Sequence, residues 1–222
     1  NSPIHHLPAH GCPLIVSYGG NETSEFKRQT DKYAAAWRAK GFPCDHVEMT
    51  DCNHFDLPLA WCEPDNALTQ AEAIHVALVK RFASHAPTFA RNFESLANDL
   101  RNLDTRFRSL GKPSSTLLAS HPAYNYLARR YGWRVVNFDL DPEVVPNATV
   151  LAEISRVKEA EQARFLLWEA APAPAVEQAF EGIGLIHIEF SPVELLDPAA
   201  PAGHDYLDLM GEILHRLEPA FK

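Results

Sequence analysis

The sequence contains no long hydrophobic run, although 46% of its 222 residues are hydrophobic. Since a helix that spans a membrane needs about 20 consecutive apolar residues, no membrane span is predicted. Positive charge is also scarce, because 20 Lys and Arg stand against 29 Asp and Glu and the formal net charge is −9 at pH 7. A nucleic-acid-binding groove needs a basic surface, so nucleic acid is not an expected partner.

Cysteine is missing from the whole chain beyond residue 62. The four cysteines that precede this point show no C-x-x-C spacing and are Cys12, Cys44, Cys52 and Cys62. In a segment with the pattern of a cytosolic α/β protein, this favours free and mostly buried thiols over disulfides. The uneven placement also suggests that the two parts of the chain have different origins.

Short apolar runs alternate with amphipathic helical patterns, which is the order typical of a parallel sheet with helices on its faces. We therefore predict an α/β fold with parallel sheets flanked by helices and a long connecting helix in the middle, divided into residues 1–65, 66–110 and 111–222. The predicted strands are 13–18, 44–49, 116–120, 134–137, 165–168 and 185–189. The predicted helices are 24–40, 66–110, 122–131, 147–159, 173–180 and 205–220.

Two residues of the first segment have the chemistry of a hydrolase. Glu22 and His54 each follow a predicted strand, so both should lie at the carboxyl edge of one sheet. A carboxylate beside an imidazole orients the ring and raises its basicity, as a general base requires. An acid followed by a histidine is also the order of these residues in α/β-hydrolases.

The residues around this pair resemble the C-terminal end of kynurenine formamidase-like α/β-hydrolases, in which Glu22 would be the acid and His54 the base. The resemblance covers about residues 1–70 and rests on runs at 2–7, 13–16, 20–26 and 53–56. No G-x-S-x-G nucleophile elbow occurs, and Ser17 lies inside a predicted strand. Loss of the serine costs several powers of ten in rate. We therefore predict that the segment is not a complete hydrolase and that both residues are relics, unless a nucleophile comes from elsewhere.

His121 stands between a predicted strand and a predicted helix in the second part of the chain. An imidazole held by both elements can point into a cleft, and neutral imidazole is a suitable ligand for zinc or manganese. A single histidine at this position can equally cap the helix or pack in the core.

The surrounding sequence resembles the C-terminal lobe of zinc and manganese ABC-transporter substrate-binding proteins over about residues 65–222. The resemblance rests on the run at 119–132, the long helix at 66–110, the acidic strand end at 167–169 and the helix start at 203–207. It implies that His121 is a metal ligand. Phe190-Ser191-Pro192 has a serine where a carboxylate is expected, so Asp197 and Glu189 are the candidates for that ligand.

The leading hypothesis is thus a zinc- or manganese-binding module that holds its ion weakly, works with an ABC-transporter permease and resides in the periplasm. The first alternative is a hydrolase fragment that uses Glu22 and His54, which would place the protein in the cytoplasm. The second alternative is a hybrid without function. Because an incomplete sheet exposes strand edges, we expect the strand near residues 14–17 to join the second sheet or to pair across a homo-oligomer.

Overall fold

The computed structural model describes residues 3–49, 57–193 and 205–222. It confirms the α/β class, with parallel sheets flanked by helices. The chain forms two compact units, Asn1–Pro58 and Leu59–Lys222. The division into residues 1–65, 66–110 and 111–222 stays a prediction. Within the described ranges no helix is both long enough and apolar enough to cross a bilayer.

The first unit is a β-α-β element. Strands β1 (Leu14–Gly19) and β2 (Cys44–Met49) pair in parallel, with helix α1 (Ser24–Ala39) between them along the chain. Two parallel strands need such a crossover connection, because a tight turn would make the second strand antiparallel to the first. Helix α1 buries Trp37, whose indole N–H donates to the carbonyl of Cys12 at 3.2 Å. In the described part of the chain β1 pairs with β2, so the prediction that this strand joins the second sheet is wrong.

The second unit contains a four-stranded parallel sheet in the order β4-β3-β5-β6. Its strands are β3 (Leu117–Ala119), β4 (Val135–Asn137), β5 (Phe165–Trp168) and β6 (Ile186–Glu189). The helices after these strands are α4 (Asn125–Tyr131), α5 (Ala148–Glu161), α6 (Pro174–Gly182) and α7 (Tyr206–Leu217). The predicted strands and helices of this region therefore occur where the sequence patterns placed them, within a few residues.

The long helix predicted in the middle of the chain is confirmed, and it forms a helical hairpin with the helix before it. Helix α2 (Pro64–Arg81) and helix α3 (Ala86–Leu110) pack against each other, and a 3₁₀ turn at Ala83–His85 separates them. The ring of His75 stacks on that of Phe93 with a centroid distance of 4.7 Å, as expected for a chain that reverses between them. Pro87 explains the break, because proline is tolerated in the first turn of a helix but not in its interior.

Strand alternation gives the second sheet two apolar faces. One face carries Leu117, Ala119 and Leu167 and packs against side chains of α3 and α7; we call it the α3/α7 face. The other carries Leu118 and Leu166 and packs against α5 and α6; we call it the α5/α6 face. All four residues of β5 are buried, as expected for an interior strand that is covered on both sides.

A cluster of charged groups closes the open end of the hairpin. Arg130, in α4, places its Nε 2.8 Å from Glu63 and 2.7 Å from Asp104, and one of its terminal nitrogens 3.0 Å from Asp65. Glu63 also caps α2 by accepting from the N–H groups of Asp65 and Asn66 at 2.9 and 3.0 Å. One arginine thus ties the start of α2, the middle of α3 and the end of α4 together.

The two carboxyl groups nearest Arg130 shift in opposite directions. Burial raises the pKa of Glu63, and the hydrogen bonds from its own helix and the charge of Arg130 only partly offset this. Burial acts in the same direction on Asp104, but hydrogen bonds from Arg130, Arg108 and Tyr131 outweigh it and lower the pKa of that carboxyl to about 2. The cluster therefore holds Asp104 as the firmly charged partner.

This shift predicts how stability depends on pH. A lowered folded-state pKa contributes stability above the unfolded value, and the contribution disappears as the pH falls through the folded value. For Asp104 that window runs from its ordinary 3.8 down to about 2, and the shift corresponds to roughly 2 kcal/mol. We expect Asp104→Asn to flatten the acid loss of stability in this window, measured by urea unfolding at several pH values. An unchanged slope in the variant would contradict this origin.

The cysteine predictions are partly confirmed. No disulfide links the described cysteines, which are Cys12, Cys44 and Cys62. Cys62 is buried and Cys44 is half-buried, but Cys12 is exposed, so the prediction of burial is wrong at this position. Cys12 precedes β1 in a stretch without regular structure, where nothing covers its side chain. Cys52 lies outside the described residues.

Candidate metal site

Three ionisable residues meet at the carboxyl edge of the second sheet. His121 follows β3, Asp139 follows β4 and Glu169 follows β5. Because alternate residues of a strand point to the same side, continuing the alternation past each strand end places all three on the α3/α7 face. The carboxyl ends of parallel strands are where α/β proteins usually bind their ligands.

The two ring nitrogens of His121 face different carboxylates. The Nε2 atom is 3.1 Å from Oδ1 of Asp139, and the Nδ1 atom is 4.0 Å from Oε2 of Glu169. The side chains of His121 and Glu169 are 33% and 32% exposed, whereas that of Asp139 is 99% exposed. The imidazole is therefore reachable from solvent, and negative charge on both sides favours a cation beside it.

Backbone hydrogen bonds hold this edge of the sheet in register beyond the strand ends. The N–H of Ser120 donates to the carbonyl of Leu167 at 2.8 Å, which joins the end of β3 to β5. On the other side, the N–H of Phe138 donates to Ala119 at 2.9 Å and that of Leu140 to Ser120 at 3.1 Å. The three residues of the site are thus carried by backbone that is fixed on both sides of β3.

Tyr124 is a buried residue three positions after His121. It is fully buried, its ring lies 4.8 Å from that of Phe190, and its hydroxyl donates to the carbonyl of Phe190 at 2.9 Å. Burial, with a smaller contribution from the negative charge of Glu169, raises the pKa of this phenol well above its ordinary value. Tyr124 therefore acts as a neutral donor that fixes the end of β6.

Hydrogen bonds from the segment before α2 fix the chain after β6. The indole N–H of Trp61 donates to the carbonyl of Pro192 at 2.6 Å, and the thiol of Cys62 contacts the same oxygen at 3.6 Å. The hydroxyl of Tyr206, at the start of α7, donates to the carbonyl of Trp61 at 2.6 Å. Between these anchors, Ser191 uses its hydroxyl oxygen to accept from the N–H of Val193 at 3.3 Å. The serine expected at a ligand position thus takes part in a local turn.

The predicted site residues have different outcomes. His121 lies at the sheet edge as expected. Glu189 ends β6, and its carboxylate lies 3.8 Å from Arg216 of α7. Glu22 is half-buried in the turn after β1, where its N–H donates to the carbonyl of Gly19. Asp197 and His54 lie outside the described residues.

The two carboxylates beside His121 were not among the predicted ligands. The sequence patterns indicated Glu169 only as part of an acidic strand end and did not indicate Asp139. A signal was available, since each follows a predicted parallel strand at the position that continues the buried face of its strand. Over the ranges that the structure covers, no three His, Cys, Asp or Glu side chains are arranged so that they could hold a metal ion by themselves.

Comparison with known proteins places most of the chain in one family. A family model described as ZnuA, zinc-uptake complex component A, periplasmic, matches residues 14–220. The zinc-binding lipoprotein AdcA of Streptococcus pneumoniae is 27% identical over 180 residues, which are 78% of this chain and 36% of that protein. The high-affinity zinc uptake system protein ZnuA of Bacillus subtilis is 24% identical over 171 residues, 75% of this chain and 54% of that protein. The chain thus spans between a third and about half of these relatives.

Solved structures agree on the fold. The zinc-bound ZnuA-like domain of Streptococcus pneumoniae AdcA matches with a TM-score of 0.77 at 21% identity, over 93% of this chain and 79% of that chain. The metal-dependent lipoprotein YcdH of Bacillus subtilis matches with a TM-score of 0.72 at 20% identity, over 87% of this chain and 77% of that chain.

These comparisons correct the assignment of residues 1–70. The family model begins at residue 14 and continues without change of family to residue 220, so β1, α1 and β2 match the same family as the second unit. The resemblance to a hydrolase rested on short runs around parallel strands, which many α/β proteins share, and neither the hydrolase segment nor a fusion is supported. The chain belongs to the family of ZnuA, the periplasmic component A of zinc-uptake complexes.

Proposed function

We propose that the chain captures a divalent metal ion, zinc or manganese, as the substrate-binding component of an ABC transporter. The observation that carries the proposal is the geometry at His121, where a half-exposed imidazole lies between two carboxylates at the carboxyl edge of a parallel sheet. Membership of a zinc-uptake family supports it, as does the likeness to a zinc-binding lipoprotein.

The donor types at this edge fit zinc and leave room for manganese. Zinc is bound in proteins by imidazole nitrogen and carboxylate oxygen at about 2.0–2.2 Å, whereas manganese prefers carboxylates and water. One imidazole with neighbouring carboxylates is compatible with both ions. One relative is named an iron-binding protein, YfeA of Yersinia pestis, at 36% identity over 83 residues, 36% of this chain and 27% of that protein. The choice between ions is therefore a quantity to be measured.

The described residues supply part of a complete ligand set. Structural zinc sites with full sets contribute on the order of 10–16 kcal/mol, and a partial set contributes much less. From this edge of the sheet alone we propose a dissociation constant in the micromolar range or weaker. Further ligands that came from residues outside the described ranges, or from a second chain, would tighten it.

Replacing His121 by alanine tests the proposal directly. We expect the unaltered protein to take up zinc and the variant to bind it at least about tenfold more weakly, because the only imidazole that the described residues place at this sheet edge is lost. Isothermal titration with zinc and with manganese, and elemental analysis after dialysis, are the measurements.

His215→Ala provides the matched control for that experiment. His215 lies on α7, its side chain is 84% exposed, and its Nδ1 atom is 3.3 Å from Glu218, so it represents an ordinary surface histidine beside a carboxylate. Its removal should leave zinc affinity unchanged. Equal zinc uptake by the His121 variant and the unaltered protein would exclude this edge of the sheet as the ion site.

The compartment and the partner follow from the same proposal. A substrate-binding component delivers its ion to a membrane permease, and the family description includes the word periplasmic. We therefore propose a periplasmic or otherwise extracytoplasmic location and an ABC permease as partner. A hydrolase function is not proposed, because Ser17 lies within β1 and no described residue forms an elbow beside a base.

A further inference from the structure

We infer that Asp139 is the second metal ligand at this edge of the sheet and takes the role expected of a carboxylate after β6, where this chain has Ser191. The inference rests on the proposed function and names a ligand for it. It follows from the backbone that carries Asp139, from its distance to His121, and from what the rival side chains contact.

The backbone around Asp139 directs its side chain to the face of the sheet on which His121 lies. The N–H groups of Phe138 and Leu140 donate to the carbonyls of Ala119 and Ser120, so the chain on both sides of Asp139 is bound to the end of β3. Leu140 is only 5% exposed and packs in the core of the α5/α6 face. Because neighbouring residues of an extended chain point to opposite sides, the side chain of Asp139 is directed to the α3/α7 face, on which His121 lies.

The distance between the two donor atoms suits a shared ion. Two ligands at about 2.0–2.1 Å from zinc in tetrahedral geometry lie roughly 3.3 Å apart. The separation of His121 Nε2 from Asp139 Oδ1 is 3.1 Å. An ion can therefore enter between these atoms after a shift of a few tenths of an ångström, which the short aspartate side chain can make without moving the backbone.

Glu169 has a different role in this arrangement. Its carboxylate faces the other ring nitrogen, Nδ1, at 4.0 Å, which is beyond hydrogen-bond distance. Metal-bound histidines generally donate their second ring N–H to a carboxylate or carbonyl that fixes tautomer and orientation. We assign Nε2 as the nitrogen that binds the ion and Glu169 as the positioning residue of His121, which requires its carboxylate to approach Nδ1 by about 1 Å.

Two rival residues have other contacts, and Asp197 lies outside the described residues. Ser191 accepts a hydrogen bond from Val193, and a neutral hydroxyl is a weaker zinc ligand than a carboxylate. Glu189 pairs with Arg216 of α7 at 3.8 Å. Asp139, in contrast, is almost fully exposed, so an ion bound by it can keep water molecules or accept ligands from other parts of the protein.

Asp139→Asn and Asp141→Asn form a matched pair that tests the assignment. Asp141 lies two residues away in the same segment, carries the same charge, and accepts from the N–H of Glu143 at 2.8 Å. Loss of one negative charge near the site is thus common to both variants, and loss of a ligand is confined to the first. Zinc and cobalt(II) titrations of the full chain are the measurements, with the visible cobalt spectrum as a report of the ligand set.

The expected result is zinc affinity at least about tenfold lower in Asp139→Asn than in Asp141→Asn, together with a changed cobalt spectrum in the former only. Equal affinities and equal spectra in the two variants would overturn the assignment while leaving the proposed function intact. Failure of the proposed function has its own sign, namely equal zinc uptake with and without His121.

Glu169→Gln separates a positioning residue from a ligand. Removal of such an orienting carboxylate typically lowers metal affinity by about 10–100-fold. We expect a loss in that range with a cobalt spectrum of unchanged shape, because the ligand set is the same. A spectrum that changes in Glu169→Gln but not in Asp139→Asn would exchange the two roles and overturn the assignment.

Discussion

Arg130→Met is expected to destabilise the second unit by about 3–5 kcal/mol, the range typical when one partner of a buried ion cluster is removed. The side chain of Arg130 is only 20% exposed, and those of Glu63 and Asp104 are 6% and 18% exposed. Methionine fills a similar volume but removes the cation that Glu63 and Asp104 share, while Arg108 still contacts Asp104. Urea unfolding followed by circular dichroism gives the free energy directly.

Arg129→Met is the natural control, because it changes the neighbouring residue of the same helix. Arg129 is exposed and lies over the ring of Tyr126 at 5.1 Å. A surface substitution of this kind should change stability by about 0.5 kcal/mol or less. Similar losses in both variants would mean that the cluster adds nothing beyond an ordinary surface arginine. That result would contradict its assignment as the tie between the hairpin and α4.

Phe107→Ala is expected to cost a comparable amount, about 3–5 kcal/mol, because it removes a large buried aromatic ring and leaves a cavity. Phe107 is fully buried in α3, stacks on Tyr131 at 5.5 Å and lies 6.3 Å from the ring of Trp133. These two neighbours belong to α4 and to the segment before β4, so the cavity cannot collapse by moving one side chain. Thermal and urea unfolding are the measurements.

Leu96→Ala, in the same helix, provides the comparison for Phe107. Leu96 is 38% exposed, so its removal takes less apolar area out of the core. We expect a loss below about 1.5 kcal/mol. Equal losses of stability in the two variants would contradict the assignment of Phe107 to the buried core.

Local patterns predicted the strands well because buried parallel strands are short apolar runs. The prediction for β5 has the same bounds as the structure, Phe165–Trp168, since all four residues are buried and the flanking residues are not apolar. The bounds of the long helix were predicted less well. An apolar pattern of helical period continues through residues 66–110 whether the chain bends or reverses, and only Pro87 and the packing of α2 on α3 decide this.

The neighbours of His121 were not predicted, for a related reason. His121 could be found from its position between a strand and a helix, but its neighbours are contributed by β4 and β5, which are distant in sequence. Which strands lie side by side is set by the order β4-β3-β5-β6, and this order is not visible in local periodicity. Glu189 was a candidate because it lies close to Ser191 in the sequence, and its carboxylate lies 3.8 Å from Arg216.

The charged cluster around Arg130 also restricts the movement of the His121 imidazole. Between His121 and Arg130 the chain runs through one short turn and α4, a helix of 7 residues that is about 10 Å long. The proposed ion ligand, His121, lies at one end of this segment. At the other end, ion pairs with three acidic residues bind Arg130 to the helical hairpin. A displacement of the His121 ring would therefore also have to move the helical hairpin. This gives the proposed ligand the rigidity of the packed helices and not that of a loop.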